Sequence, residues 1–376
     1  MAQEKNTQSA SVLYMAFELG STKWVTMSGT SAQTKVRRKT LPAGDLDALS
    51  TEFRAAKQRF ALPADAPIIT CYEAGRDGFW LHRWLQDLEV RNVIVDSASI
   101  EVNRRFRRVK TDRVDATRLL SMLIRYFGGE EHVWKVVQVP DEESEDQRRF
   151  SREIDRLKKE RAGHGVRIRS LLCLHGIRLD DPRKANLDGL RSPSGKPLLP
   201  TLKLEIRHEW GRLQLCEKQL KELELKQRKL LKESDSPVVE KVRKLTLFRG
   251  VGWRSSWLLV LEFFAWREFK NRRQVGALAG MVATPYLSDC MEREQGISKA
   301  GNKRVRAMMV ELAWLWLRWQ PESALSRWYE RRFGHGSKRM RRVGIVALAR
   351  KLLIAFWQYL ERDQLPEGAV LAPCRG

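Results

Sequence analysis

Between residues 12 and 124, short apolar runs of strand length alternate with segments patterned as amphipathic helices, and few architectures accept that alternation. VLYMAFEL at 12–19 reads as a strand, a glycine-containing turn leads into a second through Trp24, Val25 and Met27, and a third runs through Val36. An amphipathic helix covers 45–60, IITCYEAG ends another apolar run at Glu73, residues 78–88 are helical, and NVIVDS is strand-like again. A further helix carries Asp112 and Asp115 and continues through Leu119, Leu120, Leu123 and Ile124. The pattern predicts an α/β domain of about 140 residues with a mixed sheet.

Acids fall at informative places in that pattern. Glu18 closes the first strand, Glu73 closes a later one, and Asp112 and Asp115 are three apart, which puts both on one helix face. Strand ends and an adjacent helix can converge at one edge of a sheet, where α/β folds bind ligands. Four hard oxygen donors suit Mg²⁺ or Mn²⁺, and two ions about 4 Å apart can activate one phosphate oxygen and stabilise another. Each acid also has a plainer explanation: Glu18 and Glu73 as surface acids, Asp112 as a carboxylate favoured by a helix N-terminus.

Charge narrows the partner. The chain holds 70 Lys and Arg against 46 Asp and Glu, a formal net charge of +24. Such a charge repels itself and is compensated by a large polyanion, so nucleic acid is the first candidate. An anionic membrane surface would call for one basic amphipathic helix, whereas here the charge recurs along the whole length. Arg104, Arg105, Arg107, Arg108 and Lys110 precede the acidic pair, Lys299, Lys303, Arg304 and Arg306 form a second group, and residues 327–351 carry nine Arg or Lys against one Glu. The five cysteines are odd in number and lack CxxC spacing, and the six histidines show no compact ligand spacing, so a disulfide framework and a zinc site are both unsupported. No apolar h-region follows the first residues, and no uncharged run approaches the roughly 20 residues that cross a bilayer. The expectation is a soluble, cytoplasmic, nucleoid-associated protein.

Three regions follow: 1–140, 141–244 and 245–376. The second opens with a charge-rich helix from 141, passes through a Pro-, Gly- and Asp-containing loop at 178–200, and continues as a long helix. There Ile206, Leu213 and Leu220 repeat at seven, as do Cys216, Leu223 and Leu230, with Glu209 and Gln227 interrupting the seam. A coiled-coil dimer or a helical hairpin explains that spacing. In the third region Gly250 and Gly252 mark a turn between helices, either a phosphate-holding helix–hairpin–helix or a plain tight turn. Trp314, Trp316 and Trp319 interleave with Met308, Met309, Leu312 and Leu315, which reads as core and interface rather than a base-stacking platform.

YMAFELGSTKW, YEAGRDGFWLHRWL, KTDRVDA, GMVATPYLSD and GISKAGNKRVR together resemble the insertion-sequence transposases that join a RuvC-like domain with a DEDD acidic set to a serine-containing transposase domain, the family of bridge-RNA-guided recombination. The resemblance covers almost the whole chain. It implies an α/β RuvC/RNase H-like N-terminal domain, a central helical coiled-coil segment and a mainly α C-terminal transposase domain. The family's acids map onto Glu18, Glu73, Asp112 and Asp115 as Mg²⁺ ligands, and its nucleophilic serine onto Ser288. Glu18 stands where the family usually has Asp, and Asp289 where it commonly has Gly. The implied activity is Mg²⁺-dependent DNA transposition by transesterification through a 5′-phosphoserine intermediate, with double-stranded target and donor DNA, a structured non-coding guide RNA, and a homo-dimer or tetramer. The competing readings are a metal-dependent junction nuclease acting by hydrolysis, and a catalytically impaired nucleic-acid-binding protein of the same fold.

Overall fold

The computed structural model describes residues 12–31, 35–76, 78–100, 112–184, 186–288 and 291–372, with backbone alone at 112–115, 184, 285–288 and 291–295. The chain divides into two compact units, Met1–Val139 and Pro140–Gly376.

Unit 1 is a five-stranded mixed sheet covered on both faces. Its elements are β1 (Leu13–Leu19), β2 (Lys23–Gly29), β3 (Arg37–Pro42), α1 (Leu46–Arg59), β4 (Ile68–Glu73), α2 (Trp80–Asp87), β5 (Arg91–Val95) and α3 (Asp112–Phe127). The strand order is β3-β2-β1-β4-β5. β1 pairs antiparallel with β2 and parallel with β4, and β5 is parallel to β4. The third strand starts one residue after Val36. Its Arg37, Arg38 and Lys39 leave a charged edge, which resists pairing with another chain.

Side chains alternate across the sheet. Leu13, Met15, Phe17, Trp24 and Tyr72 pack with Leu49, Phe53 and Ala56 of α1 and Leu81 and Leu85 of α2. Tyr14, Ala16, Val25, Met27, Ile69 and Cys71 pack with Ala116, Leu119, Leu120 and Leu123 of α3. Tyr14, near the start of β1, meets Phe127, the last residue of α3, with ring centroids 6.4 Å apart. The Cys71 Sγ, near the end of β4, lies 3.9 Å from the Leu119 carbonyl. α3 therefore runs antiparallel to β1 and β4, and its first turn lies toward the carboxyl ends of those strands.

Unit 2 begins with α4 (Glu142–Cys173) and α5 (Pro200–Glu233). These form an antiparallel hairpin: Ile168 and Leu172 pack with Ile206 and Leu213, and Ile154 and Leu157 with Cys216 and Leu220. Ile206, Leu213, Cys216, Leu220 and Leu223 of the α5 seam thus face α4 of the same chain, as in the hairpin reading, while Leu230 is exposed. Glu209, in the seam and 8% exposed, accepts from His164, Arg167 and Arg212. Burial alone would raise its carboxyl, but the hydrogen bonds and charges of His164 and Arg167 outweigh it and pull the pKa down to about 2.

The remainder packs α6 (Pro237–Thr246), α7 (Trp253–Leu259), α8 (Arg272–Leu278), α9 (Lys303–Trp319), α10 (Ala324–Tyr329) and α11 (Lys338–Arg362) around one core. A two-stranded hairpin, β6 (Ala283–Ser288) with β7 (Met291–Ile297), interrupts this otherwise helical region. Trp316 is 1% exposed in the core, whereas Trp314 and Trp319 are 50% and 41% exposed. Among the described residues only α11 is long and apolar enough to cross a membrane, and it serves the core, with Leu348, Leu352, Leu353 and Phe356 wholly buried.

Candidate functional sites

Glu18 and Glu73 are neighbours at the carboxyl end of the sheet in unit 1. The β1–β4 register pairs Phe17 with Tyr72, so Glu18 and Glu73 come next on their parallel strands. Alternation puts them on the face bearing Ala16 and Cys71, the one covered by α3. Both are partly exposed and line a cavity of about 350 Å³ with Ser21, Tyr72 and Arg76. Asp112 and Asp115 stand on the first turn of α3, the turn directed toward that end of the sheet; their side chains lie outside the described residues. Among the described residues no group of three or more His, Cys, Asp or Glu could hold a metal ion, so the described part of the site is a carboxylate pair. Arg104, Arg105, Arg107, Arg108 and Lys110 also lie outside the described residues.

In unit 2 the backbone of Ser288 closes the last described pair of the β6–β7 hairpin, opposite Met291; its side chain and Asp289 lie outside the described residues. The foot of this hairpin is tied to the turn after α8. Ser298 N donates to the Val282 carbonyl at 2.9 Å, Lys299 N to Gly280 at 3.1 Å and Asn302 N to Leu278 at 2.9 Å. The approach at Gly301 admits no side chain: its φ is +143°, and a Cβ would collide with the Leu278 carbonyl oxygen. Asn302 caps α9 by accepting from the amides of Arg304 and Val305. Of the four cations here, Lys299 and Lys303 are exposed, Arg304 pairs with Asp155, and Arg306 donates to the Ala279 carbonyl at 3.1 Å.

Beneath this segment lies a carboxylate for which the sequence reading had no role. Glu262 sits in a π-helical turn (Val260–Phe264) and is 0% exposed. Arg152 of α4 grips it with two hydrogen bonds, Nε to Oε1 at 2.9 Å and Nη2 to Oε2 at 3.2 Å. Arg148 is 3.6 Å away and Arg304 3.9 Å, while Asn302 Nδ2 donates to Oε2 at 3.3 Å. Burial alone would raise the Glu262 carboxyl; the Arg152 hydrogen bond and the Arg152 and Arg148 charges hold it below its ordinary value. Arg267 donates to the Glu262 carbonyl and stacks 3.8 Å from the Trp266 ring centroid. Burial, then the Arg148 charge, bring Arg267 down to about 9 against the pull of Glu262. Glu262 thus joins α4 to the cap of α9. The legible signal is an acid inside WLLVLEFFAW, since a carboxylate in an uninterrupted apolar run requires a buried cation.

The pattern of the Transposase IS116/IS110/IS902 family matches residues 242–330, a stretch that contains Glu262, Ser288, Gly301 and Asn302. The Sinorhizobium fredii (strain NBRC 101917 / NGR234) protein "Putative transposase y4rJ" is 36% identical over 379 residues, covering 96% of this chain and 94% of its own length. The "Transposase for insertion sequence element IS1533" of Leptospira borgpetersenii is 26% identical over 252 residues, 65% of this chain and 69% of its own. The similarity to the first of these runs through both units, so the chain belongs to the IS116/IS110/IS902 family of transposases, DNA-recombining enzymes of mobile elements.

Proposed function

We propose that this transposase exchanges DNA strands by Mg²⁺- or Mn²⁺-dependent transesterification, with Glu18, Glu73, Asp112 and Asp115 as the acidic set and Ser288 as the nucleophile. The observation that carries the acidic half is the placement of Glu18 and Glu73 side by side at parallel strand ends, with the first turn of α3 directed toward them. The strand order, with β1 antiparallel to β2 and parallel to β4, is consistent with a RuvC/RNase H-like unit. Carboxylate oxygens are the donors Mg²⁺ takes, so the pair fits such an ion. When bound, the metal would stabilise charge on phosphate oxygens. Glu18 and Glu73 would orient it from the sheet, Asp112 and Asp115 from α3.

The serine half rests on the resemblance of GMVATPYLSD and GISKAGN to the family pattern, supported by the lock that fixes the hairpin foot through Gly280, Gly301 and Asn302. The Ser288 Oγ would attack a DNA phosphorus. An Oγ–P bond forms, the P–O3′ bond breaks, and the serine proton ends on the released 3′-oxygen. The phosphodiester energy is conserved for rejoining, and no nucleotide is consumed. A structured guide RNA follows from the resemblance alone; the charge of +24 supplies the means to hold it.

Trapping tests this reading. Protein, guide RNA, labelled DNA and Mg²⁺ should give a protease-sensitive adduct that survives SDS and boiling, and Ser288→Ala should bind DNA but form none. Ser298→Ala is the matched control and should keep the adduct. DNA mapped to Ser298, or cleavage that persists in Ser288→Ala, would favour hydrolysis by the acidic unit instead.

A further inference from the structure

A cavity of about 660 Å³ opens in unit 2 between α8, the foot of the β6–β7 hairpin and α11. That is within the roughly 300–1,000 Å³ typical of small-ligand pockets. Its floor is apolar, formed by Met281, Ile297, Ala347 and Ile354, with Val343 at the margin. Its charged lining is of one sign: Arg272, Arg273, Arg339, Arg350 and Lys351, with no carboxylate among the described lining residues. None of these five makes an ion pair among the described residues. Lys351 Nζ stands 4.6 Å from the Trp328 ring centroid, and the edge-on Phe333 ring fixes that indole from another side at 5.6 Å. Gly276 on α8 makes room for Arg350, because a Cβ there would meet its Nε at 2.8 Å.

Five cations that form no ion pair among the described residues call for an anion, and an apolar floor calls for a flat or greasy group to cover it. A paired duplex satisfies the first demand and not the second, since its bases are stacked inside. A nucleotide whose base has left the stack satisfies both, with base against floor and phosphates against rim. Among the described lining residues the only uncharged polar side chain apart from the Trp328 indole is Thr284, which donates to the Gly296 carbonyl at 3.4 Å. The described lining therefore offers little to read a base edge, which favours sequence-tolerant capture, and DNA is the strand at hand for a transposase. Thr284 and Ser288 lie four residues apart on β6, about 14 Å along the strand.

We infer that this cavity is a binding site for an unpaired DNA nucleotide. It holds the displaced base while the phosphates on either side lie along Arg272, Arg273 and Arg350. The inference goes beyond the strand chemistry and does not require Ser288 to be the nucleophile.

The test compares the affinity of the full chain for a paired duplex with that for the same duplex carrying one bulged 2-aminopurine, at fixed salt and without metal. The bulged DNA should bind about tenfold tighter or more, with a change in 2-aminopurine emission. Ala347→Trp fills the floor without altering charge and should erase that preference while leaving paired-duplex binding unchanged. Val343→Glu, at a position 47% exposed and so free of any core role, should erase it too. Lys218→Gln with Lys232→Gln, on exposed positions of α5, should keep the ratio, and Ser288→Ala should keep it as well. A bulge preference unchanged in both cavity variants would overturn the site. A larger preference for a bulged RNA duplex would overturn its assignment to DNA.

Discussion

Glu73 in unit 1 and Glu262 in unit 2 are both glutamates set against apolar segments, and their surroundings differ in kind. Glu73 ends a strand, partly exposed, at the mouth of a cavity shared with Glu18, and makes no ion pair among the described residues. Glu262 is wholly buried, held by two hydrogen bonds from Arg152, with Arg148 and Arg304 nearby and Asn302 on the same oxygen. Removing a buried carboxylate strands the cations around it, so its role is to hold elements together. A carboxylate at a strand end costs the fold little and keeps its lone pairs for a ligand. On the proposed function, stability and chemistry are carried by different acids in different units.

The largest effect should come from Glu262→Gln, which leaves Arg152 and Arg148 without their counter-charge. A loss of about 3–5 kcal/mol in the denaturant unfolding of unit 2 is expected. A change below about 1 kcal/mol would erase the contrast with Glu73. Glu209 sharpens it through pH. Its folded pKa of about 2 lies below the ordinary 4.5, so its stabilisation is fully present above pH 4.5 and is lost as pH falls toward 2. The loss should be about 1–3 kcal/mol, because solvent screens the half-exposed Arg167 and Arg212. It should disappear from the pH profile of Glu209→Gln, measured by acid unfolding of the hairpin helices. Gly301→Ala should cost about 1–3 kcal/mol, because the backbone is left-handed there and the Cβ meets a carbonyl. It should also weaken strand exchange more than DNA binding, by shifting the foot of the hairpin that carries Ser288. Glu18→Asp should be the smallest, with stability within about 0.5 kcal/mol and activity equal or higher.

Much of unit 1 was legible because its periodicity is local. Strands β1, β2, β4 and β5 and helix α1 begin and end within a residue or two of where the apolar pattern changes, and Glu18 and Glu73 were legible as strand ends. Their adjacency needed the parallel β1–β4 pairing, which sequence spacing does not specify. The β6–β7 hairpin was hidden by its composition: MEREQGI lacks the apolar alternation that marks a half-buried strand. The α5 seam was legible as a seam, but a repeat of seven is the same whether the facing helix is α4 or a second copy. The Glu262 network was least legible, since Arg152 and Glu262 are 110 residues apart and only folding makes them partners.

The most direct test puts both sides of the comparison on one variant. Glu73→Gln should unfold within about 0.5 kcal/mol of the parent protein and bind DNA with the same salt dependence, yet lose strand exchange in Mg²⁺. Full strand exchange by a correctly folded Glu73→Gln would contradict the assignment of the strand-end acids to chemistry.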